Sequence, residues 1–284
     1  LWSGAFGAAC GVVYLAARGV AGAMGWRAVG APGRVAAFGL GGAIFGPLWR
    51  QLDAQGWGMA ALWPLVVLLG ATSLIAAVVP APRHSNDEPP VDAQALELNN
   101  NGSLHLIWLI FAFGSFSGLM VLGLGAKMMD AAGADARLAS LGLAGIALGN
   151  TGGRLSVAGL RARLRIEHIL FIAAGLTLIG LAIALGQFSP TLVSIGLFLV
   201  AAGYGLIASC IPVLTRETFG SAAFQKQFAL IFTAWGLAGL AAPWIGAALF
   251  DLSDNFTPPL LCALIVTLLF CGSAMRLRRI IPDA

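Results

Sequence analysis

The sequence predicts an all-α membrane protein, a helical bundle with nine visible transmembrane helices arranged as three plus six. Three observations carry that expectation. The 284 residues are 59% hydrophobic and 10% charged, with a mean hydropathy of +0.89, whereas soluble domains average about 25% charged residues. The apolar residues come in long uninterrupted runs, which in lipid means helices that satisfy their own backbone. The basic residues gather at the ends of those runs, as they do in membrane proteins with a positive cytoplasmic face.

Taken in order, the predicted spans are Leu1–Ala17, Val35–Trp49, Met59–Val79, Leu104–Ala126, Leu138–Leu160, Ile169–Leu185, Leu192–Leu214, Phe228–Phe250 and Pro259–Met275. Between the third and fourth lies Pro80–Ser103, a polar, acidic, proline-bearing stretch that reads as a flexible connection. The expected organisation is therefore a partial N-terminal bundle over residues 1–80, a linker over 81–103 and a six-helix bundle over 104–284. With Arg18–Arg34 placed inside, alternating the spans puts 13 Lys and Arg inside and 3 outside. That bias places the linker and the C-terminus in the cytoplasm and the protein in the cell (inner) membrane. Secondary transporters often join two six-helix bundles built of three-helix repeats. Three spans before the linker make half of such a bundle, so three further spans are expected upstream of Leu1.

The fifth run, Leu138–Leu160, poses the functional question. It holds one full charge, Arg154, about 25 Å along a helix from Arg137 and about 10 Å before Arg161. A charge there costs roughly 2.5–3.5 kcal/mol on insertion scales and marks a functional site by default. Arg154 is a candidate to bind an anionic substrate through its forked donors. The plainer alternative is snorkelling toward the basic end formed by Arg161, Arg163 and Arg165. Asn150 and Thr151 lie one turn earlier, where they either serve the same site or bond between helices. Pro47, Pro64, Pro212 and Pro243 fall within spans and bend helices or serve as gates. Small-xxx-small pairs (Gly7–Gly11, Gly42–Gly46, Gly114–Gly118, Gly145–Gly149, Gly149–Gly153) bring backbones close, for packing or for sliding contacts.

Several function classes are excluded. Cys10, Cys210, Cys262 and Cys271 sit in apolar runs without metal-type spacing. There is no nucleotide-binding loop and no Ser/His/Asp grouping, and His84, His105 and His168 are scattered. No enzyme, no cofactor, no metal and no nucleic-acid partner is implied. No Asp or Glu sits mid-span, which argues against a proton relay in the visible helices. Asn255-Phe256-Thr257 matches a glycosylation sequon that nothing else in the sequence supports.

The stretches GYGLIASCIPVLTRETFG and QFALIFTAWGLAGLAAPWIGAALFD, within Gly203–Asp251, resemble the tenth and eleventh helices of the major facilitator superfamily. The nearer likeness is to its oxalate:formate antiporter group, with the monocarboxylate transporters next. Gly149-Asn150 and Gly153-Arg154 with Gly159 look like the eighth helix. GVVYLAAR, PGRVAAFGLGGAIFGPL and GWGMAALWP look like helices four to six. The resemblance implies alternating-access transport of a small carboxylate, with a counter-transported anion or proton as the coupled species. In the antiporter group an eighth-helix arginine and an eleventh-helix lysine face the substrate. Arg154 matches the first, and Trp235 stands where the second would be, which argues against a doubly charged substrate such as oxalate. The acidic residue usual at the start of the loop after the eighth helix is also missing, and Glu167 comes late. Trp235 and Tyr204 are expected to line the cavity, or else simply to pack. The expected function is secondary transport of a small organic anion, with Arg154, Trp235, Tyr204 and Asn150 as substrate contacts and Pro212 and Pro243 as gating or kink positions. The rival is a transport-inactive scaffold or sensor of the same fold.

Overall fold

The computed structural model describes residues 55–57, 100–186 and 189–280. The first three predicted spans, linker residues 81–99, Pro47, Pro64, Cys10, His84 and the two N-terminal glycine pairs lie outside the described residues, as do the stretches likened to helices four to six apart from Gly56 and Trp57. Among the described residues six helices form, and they belong to one of the two compact units into which the chain divides. They are α1 (Asn100–Ala131), α2 (Ala136–Arg161), α3 (Ile166–Gly186), α4 (Pro190–Gly220), α5 (Ala222–Ser253) and α6 (Thr257–Ile280). Each of the last six predicted spans lies inside one of them.

Five of the six, all but α2, are long and apolar enough to cross a membrane, as a multi-pass membrane protein requires. What sets α2 apart is its own sequence. Asn150, Thr151 and Arg154, among many small residues, dilute a run that is otherwise leucine-rich.

The helices outrun the predicted spans because hydropathy marks only the lipid-depth part, while capping residues set the true ends. Asn100–Ser103, assigned above to the linker, is already helix. At the far end of α1, Gly133 adopts φ 77°. There the Ala134 N–H donates to the Met129 carbonyl and the Gly133 N–H to the Asp130 carbonyl. This pairing closes the orphan carbonyls of a helix end, and glycine allows it without a Cβ penalty. Two residues later the Asp135 carboxylate accepts from the Leu138 N–H at 2.7 Å and caps α2. Ser189 caps α4 in the same way, ahead of Pro190 in the first turn. The α4–α5 stretch is helical throughout except at Gly220, whose φ of 73° and ψ of 170° belong to a region open to glycine alone. Pro212 and Pro243 sit inside α4 and α5 without non-helical dihedrals, so the break in this stretch is at Gly220. Asn255 bridges α5 and α6: its amide donates to the Ser253 carbonyl, and its side-chain oxygen accepts from the Thr257 N–H. The sequon asparagine is thus engaged in the turn.

Packing divides the bundle along its length. One apolar cluster gathers Ile107, Ile110 and Phe111 of α1 with Ile169 and Leu170 of α3, Ile207, Ile211 and Leu214 of α4, and Phe270 of α6. A second gathers Met120 and Leu124 of α1 with Ile146 of α2, Leu181 of α3, Leu197 and Val200 of α4, and Leu260 of α6. Between them lies a layer of buried polar side chains: Ser115 and Ser117, Asn150, Thr151 and Arg154, Thr177, and Thr267. Tyr204, 1% exposed, belongs to neither cluster and sits at the same level of α4. Most of this layer is hydrogen-bonded, the Ser115 hydroxyl being the exception. Thr151, Thr177 and Thr267 each donate to the carbonyl four residues back, and the Ser117 and Thr267 hydroxyls are 2.9 Å apart.

Candidate functional site

The polar layer is positioned by α4, which approaches three neighbours at backbone distance around the triplet Gly203-Tyr204-Gly205. A methyl group on Gly205 would overlap the Asn150 carbonyl of α2. One on Gly153 of α2 would overlap the Ala202 carbonyl of α4, and one on Gly149 would lie 2.5 Å from the Phe198 carbonyl oxygen. On the other flank Gly203 faces Thr177 and Ala173 of α3, and the Tyr204 Cβ occupies the space left open by Gly118 of α1. Small residues therefore fix where Tyr204 stands, because helices approach this closely only where at least one of the facing residues lacks a side chain. Of the small-residue pairs, Gly149–Gly153 lies in backbone contacts of this kind and Gly114–Gly118 faces the side chains of Ile207, Phe270 and Tyr204, whereas Gly145 has open space beside it.

Arg154 lies on α2 directly against this triplet and is 6% exposed. Its Nε donates to the Asn150 Oδ1 at 3.0 Å, and its guanidinium carbon lies 5.5 Å from the Tyr204 ring centroid. The direction follows from helix geometry. Side chains lean toward the N-terminus of their own helix, so Arg154 runs back over Asn150 and away from Arg161. Snorkelling toward the basic end, one alternative raised by the sequence, is not what the structure shows. Burying the charge is costly, and two contacts offset part of that cost. A hydrogen bond to a charged group contributes about 1.5–3 kcal/mol, and a desolvated cation–ring contact about 2 kcal/mol.

Tyr204 is in turn tied to Trp235. The indole Nε1 donates to the Tyr204 Oη at 2.7 Å, which leaves the phenol proton to be directed elsewhere. Trp235 stacks on Phe232 with centroids 5.1 Å apart and an interplanar angle of 23°. The four residues expected at the site, Arg154, Asn150, Tyr204 and Trp235, thus form one connected group drawn from α2, α4 and α5. Pro212 and Pro243 do not join it. Each lies eight residues beyond a site residue on its helix, about 12 Å along the axis, and the Pro243 ring packs against Gly123 of α1.

The C-terminal end of α2 has a different chemistry. Arg161 pairs with Glu217 of α4 and also donates to the Leu164 carbonyl. Arg165 meets Glu167 at 3.2 Å, and Arg216 lies over the Phe224 ring at 5.8 Å. The carboxylate at Glu217 supplies a counter-charge here that the loop sequence GLRARLR does not. Glu167 is 4% exposed, and its Oε2 has no hydrogen-bond partner. Two residues important to this arrangement escaped the sequence reading, Phe232 and Glu217. The first had a signal in its spacing with Phe228 and Trp235 on one helix face; the second had none, because its partner is 56 residues away.

Among the described residues no three His, Cys, Asp or Glu side chains converge to hold a metal ion. A cavity of about 90 Å³ opens at the opposite end of the bundle, lined by Met128, Leu197, Asp254 and Phe256 among others. It does not touch the Arg154 group. Compared with known proteins, the sequence matches no family model and no curated protein.

Proposed function

We propose that the protein is a secondary transporter of major facilitator type that moves a small organic anion, monocarboxylate-like, by alternating access. The observation that carries this reading is Arg154. It is a cation held buried midway between two apolar clusters, in a polar layer, with Asn150, Tyr204 and Trp235 grouped around it. A fixed, partly desolvated guanidinium at that depth is what a carboxylate crossing a membrane needs, since it replaces water with a preformed donor fork. The motif likeness at Gly203–Asp251 and the basic end of α2 support the same reading. In it, the end bearing Arg161, Arg163 and Arg165 faces the cytoplasm, as do the linker and the C-terminus, and the membrane is the cell (inner) membrane. The lipid bilayer and the small solute are the partners, with a second anion or a proton as the coupled species.

One observation favours the rival, a transport-inactive scaffold or sensor of the same fold. Arg154 is already engaged by Asn150 and Tyr204 within the bundle, as a purely structural arginine would be. Uptake of labelled monocarboxylates into proteoliposomes separates the two. The transport reading expects saturable uptake that falls roughly 10- to 100-fold in Arg154→Ala, the equivalent of one charge-assisted contact. Absence of uptake for every small carboxylate, or uptake indifferent to Arg154→Ala, sinks it.

A further inference from the structure

We infer that the Arg154 site selects a monocarboxylate with a flat aromatic or conjugated body, and that Trp235 and Phe232 are the residues that determine this specificity. The inference rests on the transport reading above and narrows its substrate class.

It starts from a pattern on α5. Phe224, Phe228, Phe232 and Trp235 recur at steps of four, four and three residues, which places all four on one helix face over about 16 Å. Their rings touch in sequence. Phe224 stacks on Phe228 at 5.3 Å, Phe228 tilts against Phe232 at 5.5 Å, and Phe232 stacks on Trp235 at 5.1 Å. Trp235 then bonds to Tyr204, whose ring lies under the guanidinium. The series of rings ends on the charge.

Exposure shows which rings a ligand can reach. Phe228, Tyr204 and Phe111 are buried and act as backing, with Phe111 6.2 Å from Phe232. Phe232 and Trp235 are half-buried, so they keep accessible surface. Beside them a second indole, Trp108 of α1, donates to the exposed Thr233 hydroxyl at 2.9 Å. The accessible surface that Phe232 and Trp235 contribute beside this group is therefore π-surface. Its rings are already fixed by stacking and by hydrogen bonds to each other.

The chemistry of a fitting ligand follows. One carboxylate takes the guanidinium. The rest of the molecule lies against indole and phenyl faces, which favour offset stacking of a planar ring over contact with a puckered aliphatic one. A second carboxylate is disfavoured, because Arg154 is the one charged group of this layer among the described residues, and a second anion would be desolvated against aromatic faces.

The test compares benzoate with cyclohexanecarboxylate, which share charge and approximate size and differ in the π-face. Binding to the purified full-length protein in detergent is measured by calorimetry. Benzoate is expected to bind about tenfold more tightly, one to two stacking contacts' worth, and terephthalate more weakly than benzoate. Trp235→Leu should erase the benzoate preference, bringing the two acids to equal affinity, and Trp235→Phe should retain most of it. If Trp235→Leu fails to fold, the wild-type comparison and Trp235→Phe still decide. Equal affinities for the two acids, each lost in Arg154→Ala, overturn the aromatic selectivity and leave the anion site standing. No Arg154-dependent binding of any of the three acids overturns the transport reading and the selectivity together.

Discussion

Arg154 and Arg161 lie two turns apart on one face of α2, both turned toward α4, and they meet opposite treatment. Arg161 is met by the Glu217 carboxylate, with about 30% of its side chain exposed. Arg154 is almost fully buried and is met by the oxygen of Asn150 and the ring of Tyr204. A carboxylate partner neutralises a cation and leaves little attraction for a further anion. At Arg154 an amide oxygen and a ring face are among the groups that hold the guanidinium in place. The difference teaches that position on the helix does not assign an arginine its role. What α4 presents at that level does: Tyr204 between two glycines in one case, Glu217 in the other.

The largest way to break this contrast is to part α2 from α4. Gly205→Val would drive a branched side chain into the Asn150 carbonyl, where no flexible group can yield. The expected cost is roughly 3 kcal/mol or more, the upper end of overpacking penalties. It should appear as a sharply lower melting temperature in detergent and loss of a monodisperse elution peak. The control lies on α2 itself, where Gly152 has nothing within 4 Å. Gly152→Ala should be neutral or stabilising by up to about 1 kcal/mol, since alanine is the better helix former. Equal destabilisation by the two substitutions would contradict the backbone contact on which the site is built.

The next test gives Arg154 the environment of Arg161. Asn150→Asp keeps the shape of the side chain and turns the oxygen 3.0 Å from Arg154 Nε into part of a carboxylate. The protein should remain folded, and carboxylate affinity should fall about tenfold or more as the site's charge is neutralised. Titration of the purified variant with benzoate checks it. Unchanged affinity would mean that the anion does not bind at Arg154.

Much of this was legible in the sequence, for identifiable reasons. Six apolar runs became six helices, five of them long and apolar enough to cross a membrane, because a backbone in lipid must satisfy its own hydrogen bonds. Their ends were misjudged where polar caps, Gly133 and Asp135 above all, lie outside any hydropathy run. Arg154, Asn150, Tyr204 and Trp235 stood out as polar or aromatic residues in apolar surroundings, yet three helices contribute them, and no spacing rule links α2 to α4 and α5. The depth of Arg154 was likewise open, because snorkelling and burial look the same in one dimension. The close approach at Gly205 and Gly153 decided it, as Tyr204 is brought within reach of the guanidinium. Glu217 as the partner of Arg161 was invisible for the same reason. Phe232 was within reach of pattern reading and was hidden by the abundance of phenylalanine in membrane helices.

The smallest expected effect sharpens the comparison from the other side. Glu217→Gln removes the counter-charge of Arg161 and leaves Arg154 untouched. Both partners are partly exposed, at 30% and 45% of their side-chain surfaces, so the pair contributes about 0–1 kcal/mol and is screened by salt. Thermal stability should change by less than about 1 kcal/mol, and the difference from wild type should shrink further as ionic strength rises. Benzoate affinity should stay within about twofold, because Arg161 uncovered at the end of α2 is a solvated charge beside other arginines, whereas Arg154 is buried beside the Tyr204 ring. A newly gained affinity for benzoate in Glu217→Gln that persists in the Arg154→Ala background would show that removing the counter-charge alone makes an anion site, and that the aromatic surroundings of Arg154 are dispensable.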